Sequence, residues 1–89
     1  MSKFISQYYR LGGMVIGVTM VNIQPGKEKE VYNQIKQIKC VKEVYHVFGQ
    51  FDFVVIIHAN NLSELNEAVD KIRKIPGVIK TQTVIGAEI

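Results

Sequence analysis

The stretch Ile35-Lys36-Gln37-Ile38-Lys39-Cys40-Val41 returns further along the chain as Ile72-Arg73-Lys74-Ile75-Pro76-Gly77-Val78. The correspondence continues by placing Val47 on Val84 and Gly49 on Gly86. Traced backwards it sets Ile16 on Phe53 and Val18 on Val55. The chain therefore reads as two copies of one strand–helix–strand unit. Two copies are too few to stack as a solenoid, so they are expected to share one sheet.

Each copy has recognisable parts. Met14 to Val21 is a β-rich apolar run closed by the turn Gln24-Pro25-Gly26. Val31, Ile35 and Ile38 then fall on one stripe of a helix. Val41 to Phe48 is the second strand, Gly49-Gln50-Phe51-Asp52 the turn, and Phe53 to Ala59 the third strand. Asn61-Leu62-Ser63-Glu64 resembles a capping box. Leu65, Val69 and Ile72 stripe the second helix, with Glu67–Lys71 and Asp70–Lys74 spaced to pair on its wet side. Ile75-Pro76-Gly77 stops it, and Val78 to Ala87 is the last strand.

Right-handed crossovers in two βαβ halves give a four-stranded antiparallel sheet with both helices on one face. This is an α+β, ferredoxin-like βαββαβ domain over residues 14–89. Residues 1–13 show no period and form an N-terminal arm, either a short strand packing on a neighbour or a frayed end.

Composition narrows the function. The 89 residues, 47% hydrophobic and 21% charged, fit one globular domain. The single Cys40 excludes an internal disulfide framework and fits a reduced, cytoplasmic setting. The apolar run from Met14 to Ile23 is too short to span a bilayer, so no membrane role is expected. Net charge is +3, but lysines alternate with glutamates, as in Lys27-Glu28-Lys29-Glu30, and form no basic stripe for nucleic acid.

The strands fail to alternate. Met14, Ile16 and Val18 oppose Val15 and Val21, and Phe53, Val55 and Ile57 oppose Val54 and Ile56. Helices can cover only one face, and an oily second face is large for a soluble monomer. Met14, Ile16, Val18, Phe53 and Val55 are accordingly expected to form a two-fold homodimer interface. The other reading is a monomer whose arm, through Phe4, Ile5, Tyr8, Tyr9 and Leu11, folds back over the sheet.

No catalytic constellation is legible. Ser63 lies in a helix cap without a nucleophile elbow. Cys40 reads as a small semi-buried residue. Pairing Phe48 with Phe53 sets His46 opposite Val55 and His58 opposite Glu43, which shares no metal geometry. No phosphate loop precedes a helix. No cofactor, metal or enzymatic activity is expected. Gly49-Gln50-Phe51-Asp52 is the sharpest local feature: Gly49 can supply a positive φ, and Asp52 can accept from backbone amides or a ligand ammonium. It reads equally as an ordinary hairpin turn.

Gly49-x-x-Asp52-Phe53 with its apolar strand, the helix end Ile75-Pro76-Gly77-Val78, and Thr81-x-Thr83 together resemble one family. It is the effector-binding domain of the Lrp/AsnC regulators, often called RAM, and the likeness covers about residues 14–89. The resemblance implies sheet-to-sheet dimers assembled into rings such as octamers, with amino acids or related small molecules bound between dimers. On that likeness Gly49, Phe51 and Asp52 lie at the effector site. Leu62, Val84, Ile85 and Gly86 match positions of effector response, and Thr81 and Thr83 supply supporting hydroxyls. Family transcription factors carry an N-terminal helix-turn-helix domain, where this chain shows only Met1 to Gly13. The expectation is a stand-alone effector domain without direct DNA contact, sensing amino acids or modulating full-length Lrp/AsnC regulators by mixed assembly. Two other readings remain: a purely structural oligomerisation partner, and a small dimeric ferredoxin-like enzyme, for which the central strands offer no interior acid or base.

Overall fold

A computed structural model describes residues 14–87. Its elements run β1 (Val15–Ile23), α1 (Glu28–Lys36), β2 (Val41–His46), β3 (Phe53–Ala59), α2 (Leu62–Arg73) and β4 (Val78–Ala87). The sheet order is β2-β3-β1-β4, and every neighbouring pair is antiparallel. Each helix thus carries the chain over a strand of the other half. This is the ferredoxin-like arrangement. The arm, and any cover it gives the sheet, lies outside the described residues.

Facing pairs fix the two sides of the sheet. Gly17 with Ile57, Thr19 with Val55 and Val21 with Phe53 meet across β1 and β3, and all but Gly17 are among the fully buried side chains beneath the helices. Val31 and Ile35 of α1 and Leu65, Val69 and Ile72 of α2 complete that core. Val18 with Ile56 and Met20 with Val54 lie on the opposite, open face, each half-exposed.

This corrects the expected interface. Ile16 and Val18 do lie on the open face, and Met14 precedes them in phase, but Phe53 and Val55 are core residues, 1% and 0% exposed. Val54 and Ile56 take their place. The reason is parity. The repeat maps Ile35 onto Ile72, an odd offset, and an odd shift along a strand exchanges its two faces. Helix α1 and helix α2 share the offset, whereas β1 and β3 do not.

The β2–β3 hairpin also differs from its reading. β2 ends at His46, which pairs with Phe53, so Phe48 has no strand partner. The slip leaves six loop residues, 47–52, in place of four. His46 packs edge-on against Phe53, with ring centroids 5.3 Å apart. Ile56, not His58, pairs with Glu43, after an irregularity between Val41 and Glu43.

Helix ends show local chemistry. The Glu64 N–H donates to Asn61 Oδ1 at 2.8 Å, as a cap should. The returning Glu64 carboxylate instead accepts from the Asn60 N–H at 3.0 Å, one residue further back than the capping box. Asp70 pairs with Arg73 at 3.0 Å rather than with Lys74. Past α2, Gly77 turns at φ +106, and a Cβ there would lie 2.9 Å from Lys27 Cβ, so only glycine fits. Cys40 is its counterpart in the first copy, and it too is left-handed, at φ +80.

Candidate functional site

The loop from Val47 to Asp52 is closed by one hydrogen bond of its own and tied to the end of β1 by three more. The Val47 N–H donates to the Asp52 carbonyl at 2.8 Å, and the Asp52 N–H donates to the Val21 carbonyl at 2.9 Å. The Ile23 N–H donates to Asp52 Oδ2 at 2.7 Å, and Asn22 Nδ2 donates to the Gln50 carbonyl at 2.9 Å. Asp52 therefore holds the loop in place with its own carboxylate. Gly49 has φ +138, the backbone freedom its position called for. Phe51 is half-buried, while Phe48 is 92% exposed beside the His46 ring.

The remaining expected site residues lie elsewhere. Thr81 and Thr83 turn toward the helix side of β4. Thr83 Oγ1 lies 3.0 Å from Thr19 Oγ1, and Thr81 Oγ1 accepts from Arg73 Nε at 3.1 Å. A shallow hollow on that edge is lined by Arg73, Val78, Ile79, Lys80 and Thr81. Val84 stands on the open face opposite Val18, and Ile85 and Gly86 stand opposite Gly17 and Ile16. Leu62, at the start of α2, is exposed.

One chain does not bring these groups together. Gly49 and Asp52 sit at the Ile23 end of β1, whereas Ile85, Gly86 and Leu62 sit at its Val15 end. At about 3.3 Å per strand residue the two groups are separated by about 20 Å. Sequence reading missed Asn22, Ile23 and Gln50 as partners of the loop. An asparagine interrupting the apolar run Met20-Val21-Asn22-Ile23 was the available sign.

Among the described residues no group of three or more His, Cys, Asp or Glu is placed to hold a metal ion. Two shifted groups meet at the start of α2 instead. Burial, then the hydrogen bond from its Sγ to Glu64 Oε1 at 3.4 Å, raises the Cys40 thiol. The Asn60 N–H, then that thiol, lowers the Glu64 carboxyl. On the open face the Tyr45 hydroxyl donates to Glu43 Oε1 at 2.6 Å, which raises the phenol.

Fold and loop together define the class, a two-layer ferredoxin-like domain with a bare sheet face and an anchored Gly-x-x-Asp turn. The family model of the Lrp/AsnC ligand binding domain matches residues 14–88. The chain belongs to the Lrp/AsnC family. It is 37% identical over 75 residues to the HTH-type transcriptional regulator FL11 of Pyrococcus horikoshii, covering 84% of this chain and 50% of that protein. It is 32% identical over 78 residues to the HTH-type transcriptional regulator LysM of Saccharolobus solfataricus, covering 86% and 55%. The crystal structure of FFRP-DM1 superposes with a TM-score of 0.75 at 33% identity, covering 81% of this chain and 97% of that one. The chain spans about half the length of the curated relatives it matches. Among the described residues no helix is long and apolar enough to cross a membrane.

Proposed function

We propose that this chain is a non-catalytic regulatory module that assembles with copies of itself and binds an amino acid or related small effector at their junctions. The observation that carries this is the split of the expected ligand residues between the two ends of the sheet. A turn at one end and an apolar patch at the other can serve one ligand only if two copies contribute. The open face supplies the means of association, since Ile16, Val18, Met20, Val54 and Ile56 line it without helix cover. Full-length Lrp/AsnC regulators are further partners for mixed assembly, the module itself making no DNA contact and working in the cytoplasm.

Complementation tests the shared site. Isothermal titration with each common L-amino acid is expected to find a binder. Gly49→Val in the turn and Leu62→Asp at the other end are each expected to abolish it. Mixing the two variants under exchange should restore about one quarter of the sites, because each variant donates its intact half. Absence of heat from every amino acid would remove the reading, and a mixture as silent as its parents would remove the shared site.

A second reading has its own support. Asp52 Oδ2 is already bonded to the Ile23 N–H, which suits a turn that serves only as structural cement. Sedimentation of Asp52→Ala separates the two: loss of large assemblies without any ligand effect favours cement.

A further inference from the structure

Asn22 stands at the end of β1, one residue beyond the last paired position of β1 and β3, Val21 with Phe53. There the regular pairing breaks: the Asp52 N–H donates to the Val21 carbonyl and the Ile23 N–H donates to Asp52 Oδ2, which sets the Asp52 carboxylate against the Asn22–Ile23 backbone. Across β1 its partner on β4 is Lys80. The carboxamide is oriented by its Nδ2, which donates to the Gln50 carbonyl. Flipping the amide would set two acceptors against each other, so Oδ1 points away from that bond. Among the described residues, Asn22 Oδ1 is the buried side-chain polar atom that has no hydrogen-bond partner. Lys80 stands opposite without satisfying it.

Buried acceptors in native proteins are nearly always paired, so an unpaired one calls for a donor from outside the chain or a functional role. Here the unpaired acceptor lies beside a carboxylate, on the loop that the proposed function assigns to the effector. Resting on that reading, we infer that Asn22 is a ligand-contacting residue whose Oδ1, together with the Asp52 carboxylate, accepts a primary ammonium group. Two acceptors converging on one cation explain selection of an α-amino acid over the matching carboxylic acid.

The test compares each common L-amino acid with its des-amino analogue by isothermal titration, in wild type, Asn22→Ala and Asn22→Asp. Wild type is expected to prefer the amino acid by at least about tenfold, which is about 1.4 kcal/mol. In Asn22→Ala that preference should shrink by about fivefold or more, because only Asp52 still receives the ammonium. Asn22→Asp keeps an acceptor and loses the donor to Gln50, so it should retain the preference. Equal loss of preference in both variants would mean that Asn22 only anchors the loop, and would overturn the inference. An unchanged preference in Asn22→Ala overturns it as well while leaving the effector reading intact. If no amino acid binds wild type, the effector reading itself fails and this inference with it.

Discussion

At the scale of single residues, two backbone positions show what the fold demands. Cys40 adopts φ +80 where the second copy has Gly77. An L side chain in that region costs about 1–2 kcal/mol, offset only in part by the freedom that glycine adds to the unfolded chain. Cys40→Gly is therefore expected to raise stability by about 0.5–1 kcal/mol. Cys40→Val should lower it, since a β-branched residue tolerates positive φ least. Urea titrations ranking glycine above cysteine above valine would support this, and any other order would not. Gly17 is the opposite case. A Cβ there would approach Leu65 Cδ1 to 2.5 Å, and Leu65 is fully buried, so its end has nowhere to retreat. Gly17→Ala should lose about 1–3 kcal/mol through overpacking, seen as an earlier urea midpoint.

At the scale of elements, the start of α2 joins capping to pH. Asn61→Ala removes an acceptor for the Glu64 N–H and should cost about 1 kcal/mol. Glu64 is lowered first by the Asn60 N–H and then by Cys40. A lowered carboxyl gives stability that is whole above its unfolded value, about 4.3, and is lost as pH falls through the folded value. Glu64→Gln should therefore lag behind wild type at neutral pH and converge with it below about pH 4. A gap that persists in acid would refute the linkage. These elements were mostly legible in advance because helices and turns are written in local chemistry. Asn61, Pro76 and Gly77 announce where α2 begins and ends, and Phe53 to Ala59 was bounded correctly. What escaped was relational. The register of β2 on β3 depends on His46 seating against Phe53, a contact between strands that no local pattern specifies. The hydrogen bond from Ile23 to Asp52 links residues far apart in sequence, so the turn's anchorage was invisible.

At the scale of the whole molecule, everything turns on which face of the sheet lacks cover. Both faces of β1 and β3 are apolar, and the sequence periodicity alone could not decide between them. Burial decides it: Phe53, Val55 and Ile57 are covered by the helices, while Val18, Met20, Val54 and Ile56 stay half-exposed. Apolar surface left in water forgoes about 25 cal/mol per Å², so a second copy seated on this face is favoured by the same effect that builds the core. The two faces then predict opposite outcomes for the same chemical change. Val18→Glu with Ile56→Glu should turn a self-associating protein into single subunits with an unaltered circular dichroism spectrum. Val55→Glu should instead unfold the chain, because a carboxylate cannot be paired beneath α1 and α2. Sedimentation velocity and circular dichroism on the same samples read both effects. If the unsubstituted protein already sediments as one subunit at high concentration, the open face is not an interface, and no junction exists for an effector to occupy.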